Sequence, residues 1–513
     1  MEFSAGDPSC VHSVFVPAVL GYFVGDLKVE TAMSQTHSLP LTRRRFLEKT
    51  LVCSGGLWAA RQAPAASKAP SAAGRRPKVA AIFTELRFRS HAYNILENFF
   101  EPYLFNGELV DPGVDVVSFY ADQFPDGEMA RDVSKRFGVP LYDSISDALC
   151  LGGRELSVDA VLSIGEHGDY PRNEQGVVMY PRKRFFDESY AVMKRSGRFV
   201  PFFNDKHLSY RWDWAKEMYD LARESGMPLM AGSSVPLAER RPPLELPENA
   251  ELEEAVSIHG GGIESYDFHA LEVLESIVEV RRGGETGIER VELLTGEAFE
   301  RASNSGRWSQ DLVDAAMQAE QQAGTERQSW PIKRREKKPA PTTKTTSDSD
   351  RSSNGSHAIV LTYRDGFRAT VLKVDSSSNR WNFACRARGT REPLATSFYN
   401  GPWGNRCLFK ALSHAIQYHF VHQREPYPVE RTLLVSGVLA SAMKSHAQDG
   451  TPINTPHLDF AYKPIDFRAQ REMGKTWKTI TLGTKQPIEF APGDRKFLNA
   501  DGSPGTRRIK RLR

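Results

Sequence analysis

Between residues 78 and 235, short apolar runs alternate with stretches of helical periodicity, and this alternation limits the possible fold more than any other feature of the chain. The runs at 78–83, 114–120, 158–164, 199–203 and 228–232 have strand length, and 78–83 is a short apolar run of buried-strand type. Helical spacing follows each of the first four: Ala92, Ile95, Leu96 and Phe99–Phe100, then 126–137 with 143–149, then 185–195 and 210–225. A strand without a polar face must be covered above and below. The pattern therefore predicts an α/β, Rossmann-like, doubly wound parallel sheet over 77–235.

The texture changes after Pro236. A Pro- and Glu-rich connection at 241–248 leads into an expected α+β domain over 236–495 with a mainly antiparallel sheet. Its elements are a helix at 265–281, a strand at 288–294, strands at 357–363, 367–374 and 381–387, and helices at 407–420 and 428–446. Asp365-Gly366 suits the turn of a hairpin. The stretch at 320–356 is dense in Gln, Lys, Thr, Ser and Asp, and has too few apolar groups to order itself, so a disordered insert is expected there. Residues 496–513 form a basic tail, and no internal repeat is visible. Two domains suit 513 residues, more than one hydrophobic core usually supports.

The formal charge of +3 argues against a polyanionic partner. The basic runs at 333–338 and 507–513 carry no interleaved aromatic residues, so no nucleic-acid partner is expected. Cys150, Cys385 and Cys407 lie in the globular part. They form no disulfide framework and no C-x-x-C metal pair, although Cys385 and Cys407 could pair in an oxidising compartment. No metal is expected.

Upstream, Thr42-Arg43-Arg44-Arg45-Phe46-Leu47 precedes an apolar stretch at 51–60 that is too short and Gly-rich to span a membrane, which needs about 20 apolar residues. This is the pattern of a twin-arginine export signal. Residues 1–76 are expected to be leader, signal and linker, with translation beginning at Met33, the twin-arginine export machinery as a partner and a periplasmic destination. A chance arginine cluster in a disordered terminus is the competing reading.

In an open parallel sheet, ligands settle outside the carboxyl ends of the strands. Four loops follow from that rule: 84–91, 121–123, 165–170 and 204–207. The last two are rich in ionisable groups for their length, with Glu166, His167 and Asp169 in one and Asp205, Lys206 and His207 in the other. Such a set could hold a sugar, move a proton or bind a metal. Solvated turns and a surface ion pair of Lys206 are the plainer alternatives.

The order of these segments resembles the glucose-fructose oxidoreductase and inositol dehydrogenase family, Gfo/Idh/MocA. Members follow their fifth strand with Glu-Lys-Pro, and Asp205-Lys206-His207 stands at that place. Residues 219–232 are similar to the family's helix-to-strand passage. Gly260-Gly261-Gly262 with His269 and, three residues on, Glu272 are similar to its Gly-rich turn and helix. The resemblance covers roughly 78–300 and 357–465.

It implies Lys206 and His269 as catalytic residues acting on a sugar, polyol or related hydroxylated small molecule, with Glu166, His167, Asp205, His207 and Tyr266 around the substrate. Thr84, Arg87, Ser90 and Asp122 would face NAD or NADP, and a homo-oligomer would form. Two departures stand out. The loop at 84–91 contains no glycine and carries Leu86, Arg87, Phe88 and Arg89, and Ser265 stands where the family commonly has an aspartate. The alternatives are a non-redox carbohydrate-binding protein and, last, metal-assisted chemistry using His167, Asp169, Asp205, His207 and His269.

Overall fold

The computed structural model describes residues 75–324, 326–328, 355–498 and 510–511. The arginine signal, Cys10, Cys53, nearly all of the expected insert and most of the tail lie outside the described residues.

The first region runs β1 (Lys78–Phe83), α1 (His91–Leu96), β2 (Tyr103–Phe105), β3 (Glu108–Val110), β4 (Asp115–Ala121), α2 (Ala130–Phe137), β5 (Leu141–Tyr142), α3 (Ile145–Cys150), β6 (Ala160–Ile164), α4 (Arg182–Arg195), β7 (Phe202–Asp205), α5 (Trp212–Ser225) and β8 (Leu229–Gly232). Six strands make one sheet in the order β5-β4-β1-β6-β7-β8, and every neighbouring pair is parallel. The chain winds outward from β1 to one edge, then returns to build the other half from β6. Loops leaving β1 and β6 diverge there and open a crevice at the carboxyl ends. Burial explains the choice of residues: Val79 to Phe83 and Ala160 to Leu162 are fully enclosed.

Two boundaries differ from the sequence expectation. The strand expected at 199–203 is displaced to Phe202–Asp205, because Pro201 has no N–H to give the ladder and offers only its carbonyl, to Val161 N–H at 2.9 Å. The helix expected from 126 begins at Ala130, whose N–H is taken by the Glu128 carboxylate at 2.7 Å. The β2–β3 hairpin was not expected; its strands have three residues each, too short to show a period.

The second region contains β9 (Glu239–Arg241), β10 (Leu252–Gly260), α6 (Ser265–Val278), β11 (Ile288–Thr295), α7 (Gly296–Asn304), α8 (Gln310–Gln322), β12 (His357–Tyr363), β13 (Arg368–Lys373), β14 (Ser377–Ala387), β15 (Leu394–Tyr399), α9 (Asn405–His422), α10 (Val429–His446) and β16 (Ile453–Asn454). Its sheet has the order β16-β11-β12-β13-β10-β14-β15-β9, antiparallel except for the β10–β13 pair. The β12–β13 hairpin turns at Asp365-Gly366, with Gly366 at φ +83° and Asp365 Oδ1 accepting from Phe367 N–H at 3.0 Å. Helix α8 places Leu312, Val313, Ala316 and Ala319 on the sheet, and its last residues enter the stretch expected to lack order.

The boundary at 235 separates the sheets but not the cores. Phe409, Leu412, Ala415 and Ile416 of α9, with Phe467 and Phe490, share a core with Val79, Ala81 and Phe83 of β1. Leu434, Val435 and Val438 of α10 instead pack with Phe268, Leu271 and Leu274 of α6. Cys150, Cys385 and Cys407 are buried and free, so the 385–407 pairing is not formed. Among the described residues, no helix is long and apolar enough to cross a membrane.

Candidate functional site

Strand β7 ends at Asp205, so Lys206 is the first residue beyond the sheet. Its backbone is held at φ +73°, a costly region for a side-chain-bearing residue. Reciprocal bonds with Gly232 impose it: Lys206 N–H donates to Gly232 O at 3.3 Å and Gly232 N–H to Lys206 O at 3.1 Å. Gly232 itself must be glycine. At φ +126° a Cβ there would lie 2.9 Å from Thr432 Oγ1 and 3.2 Å from Glu272 Oε2.

That conformation aims the lysine across to the second region, where Lys206 Nζ lies 2.8 Å from His269 Nε2. The other imidazole nitrogen, Nδ1, is 2.6 Å from Ser233 Oγ. A lysine can only donate when charged, so Nε2 is the acceptor and Nδ1–H donates to the serine. Ser233 Oγ also accepts from Val235 N–H at 3.0 Å, which fixes the hydroxyl. Burial first, then the Lys206 charge, holds the His269 pKa well below the ordinary histidine value. The imidazole is therefore neutral, with its Nε2 lone pair facing Lys206 Nζ.

Glu166 completes the charge balance. Its Oε1 is 3.5 Å from Lys206 Nζ, and its Oε2 accepts from Arg182, the first residue of α4. Burial works against the carboxylate, but Lys206 and Arg182 hold its pKa well below normal. Arg182 Nη1 also lies 3.2 Å from His207 Nε2, which is 3.1 Å from Glu264 Oε1. His91 Nδ1 sits 2.6 Å from Asp205 Oδ2, and the His91 N–H donates to His167 Nδ1 at 3.4 Å. Burial, then His91, pushes His167 down to about 3, so it stays neutral. His167 and Glu264 also have positive φ, at +72° and +70°, so three side-chain-bearing residues in this costly region stand at the site.

Glu166, His167, Asp205, Lys206, His207 and His269 thus come together. Tyr266 is one step removed, stacked on Trp381 at 5.2 Å, while the His269 ring meets the same indole edge-on at 5.4 Å. Asp169 is turned outward, with its N–H bonded to Gln123 Oε1 at 2.8 Å. Sequence reasoning did not single out His91, Arg182, Ser233 or Trp381. Among these His91, in the loop after β1, and Ser233, directly after β8, carried a positional signal. Arg182 stands at a helix start and Trp381 is ordinary in context.

The four residues expected at a dinucleotide have other tasks. Thr84 is enclosed and donates to Glu166 O at 2.6 Å. Arg87 pairs with Glu85. Ser90 caps α1, its Oγ accepting from Tyr93 N–H at 3.2 Å and from Arg87 N–H at 3.3 Å, so the amides that would meet a pyrophosphate are already bonded. Asp122 accepts from Tyr120 and Tyr170 at 2.6 Å each and from Arg184 at 2.5 Å. Those bonds outweigh burial and hold its carboxyl below the ordinary value. Leu86 is enclosed in the core. The residues at 84–91 therefore do not fit the usual seat of a nicotinamide dinucleotide.

A separate buried set joins β10, α6 and β12. His259 Nε2 and His357 Nε2 lie 3.0 and 2.8 Å from Asp267 Oδ1, and Asp267 Oδ2 accepts from Glu264 N–H at 2.8 Å. The residue types and spacing are those of a metal-ligand group. The same hydrogen bonds cap α6 and fix its approach to the sheet, which accounts for the cluster without an ion.

No family model matches the chain, and no curated protein matches it. Solved structures similar to it include GenD2 from gentamicin A biosynthesis in complex with NAD, at 12% identity over 74% of this chain and 96% of that one, with a TM-score of 0.46. Others are myo-inositol 2-dehydrogenase from Lactobacillus plantarum, at 10% identity over 74% and 99% with a TM-score of 0.44, and apo scyllo-inositol dehydrogenase from Lactobacillus casei, at 9% over 74% and 98% with 0.42. These neighbours are oxidoreductases of the Gfo/Idh/MocA type, the family that the order of segments resembles.

Proposed function

We propose that the chain is an oxidoreductase-like protein that binds a small hydroxylated compound, of the sugar or polyol class, between the two sheets and moves a proton at one of its hydroxyls. The observation that carries this reading is the 2.8 Å approach of Lys206 Nζ to His269 Nε2 at the carboxyl end of β7. A hydroxyl oxygen seated there would accept from the Lys206 ammonium and donate to the neutral His269 Nε2. The lysine would stabilise negative charge developing on oxygen while the imidazole takes the proton. Ser233 would steady the resulting imidazolium through Nδ1–H.

These groups supply the acid–base half of an alcohol oxidation. Because the loop at 84–91 does not fit the usual dinucleotide seat, a second reading keeps the binding cleft and discards redox chemistry. The caging of Asp122 by Tyr120, Tyr170 and Arg184 favours it. Incubation of the full chain with sugars and polyols, using NAD, NADP or an artificial electron acceptor, separates the two. Turnover that falls about 100-fold or more in His269→Ala supports the first reading. Saturable polyol binding without turnover supports the second, and neither binding nor turnover refutes both. Export by the twin-arginine route is part of the proposal, and amino-terminal sequencing of protein from the periplasm tests it.

A further inference from the structure

One wall of the site carries buried polar atoms that find no hydrogen-bond partner among the described residues. Trp381 is 4% exposed, and its indole N–H has no partner. Arg327 donates from Nη2 to Asn379 O at 2.9 Å, two residues before Trp381, while its buried Nε and Nη1 are unpartnered. Asn400 is 1% exposed, and neither its amide nitrogen nor its oxygen finds a partner. Glu326, just before Arg327, accepts from the hydroxyl of Tyr399, the neighbour of Asn400, at 3.1 Å.

Trp381 joins this wall to the Lys206–His269 pair. His269 meets Trp381 edge-on, Trp381 stacks on Tyr266, and Arg327 is anchored to the strand two residues before Trp381. Native proteins leave few buried donors unpaired, since each costs about 1–3 kcal/mol. Here, among the described residues, two guanidinium N–H groups of Arg327, the Trp381 indole N–H and the Asn400 carboxamide are unpaired. Among the described residues, no acid pairs with Arg327. Glu320, whose charge acts on Arg327, is already held by Arg380 at 2.7 Å and Asn382 at 2.8 Å.

We propose that the compound bound at Lys206–His269 carries an anionic oxygen group, a carboxylate or phosphate, seated on Arg327 with the Trp381 N–H and Asn400 amide beside it. The inference rests on the proposed site and narrows its substrate class from neutral to acidic hydroxylated compounds. A guanidinium fork matches two oxygens of such a group, which neutral sugars lack.

Calorimetric titration of the full chain with D-glucuronate, D-glucose and inorganic phosphate tests this, with Arg327→Gln and Arg327→Lys alongside. Glucuronate is expected to bind about 10- to 100-fold more tightly than glucose, the range of a charge-assisted pair. Arg327→Gln should abolish that preference at an unchanged thermal midpoint, and Arg327→Lys should keep part of it. Should either variant fail to fold, competition of phosphate with glucuronate on the native chain decides the same question. Equal affinities, a preference that survives in Arg327→Gln, or no binding of any probe overturns the inference. An acid preference through Arg327 without turnover by any electron acceptor would refute only the redox reading. Equal turnover of glucose and glucuronate, unaffected by Arg327→Gln, would refute only the present inference.

Discussion

Glu272→Gln should make the protein more stable at alkaline pH and leave it little changed near pH 4.5. Glu272 lies one helical turn after His269, is 1% exposed, and accepts from Thr432 Oγ1 at 2.7 Å. Burial, with Glu279 adding to it, raises its pKa from 4.5 to about 7 against the opposing pull of Arg431 and Thr432. Below pH 4.5 the carboxyl is protonated in both states and imposes no penalty. Between 4.5 and about 7 the unfolded chain loses the proton that the folded chain retains, so the stability contributed by this group declines as pH rises. Above 7 both states are ionised and the loss is constant. A gap of about 2.5 units at about 1.4 kcal/mol each bounds the effect near 3 kcal/mol.

Glutamine does not titrate and can still accept from Thr432. Its variant should therefore gain a thermal midpoint several degrees above the native chain at pH 8, and no comparable gain at pH 4.5. Denaturation scans of both proteins at the two pH values measure the difference. A variant that follows the native chain at both, or is less stable at pH 8, would show that Glu272 is ionised in the fold and that burial does not raise its pKa.

Acid should also weaken the fold through the histidines. The pKa values of His167, at about 3, and His269, well below normal, are depressed, so the unfolded state binds protons first and stability is lost as pH falls below 6.5; a stability profile flat from pH 7 to 4 refutes this. Gly261→Ala would drive a Cβ into the Tyr266 ring and break its stack on Trp381, so tryptophan emission should shift and stability fall by about 1–3 kcal/mol; unchanged emission contradicts the packing. Glu279→Gln removes the carboxylate that accepts from Arg431 at 2.5 and 2.9 Å and leaves a buried guanidinium uncompensated. A loss of about 3–5 kcal/mol is expected in denaturant titration, and one below about 1 kcal/mol would mean that the pair is solvated.

Much of the fold was legible because its signals are local. Residues 78–83 are apolar on both faces, which suits only a strand covered twice, and the Asp365-Gly366 pair forms the turn its chemistry suggests. Short elements were not legible. Three residues in β2 or β9 cannot display a period, α7 buries only Ala302, and α8 carries so many Gln residues that its buried stripe is thin. Lys206 stood out by its place at a strand end and His269 by the family resemblance, but their 2.8 Å approach depends on Gly232 imposing a positive φ on Lys206.

The sequence by itself determined the long, periodic strands and helices, and hence the parallel sheet with its ligand loops at one end. Hydrophobic period is a property of neighbours in the chain. The tertiary structure alone decided that Arg182 balances Glu166, that Asp122 is already engaged, that α9 joins the first core, and that Arg327 is anchored two residues before Trp381. Those outcomes turn on which side chains leave water together, and residues scores of positions apart meet only when the chain has closed around them.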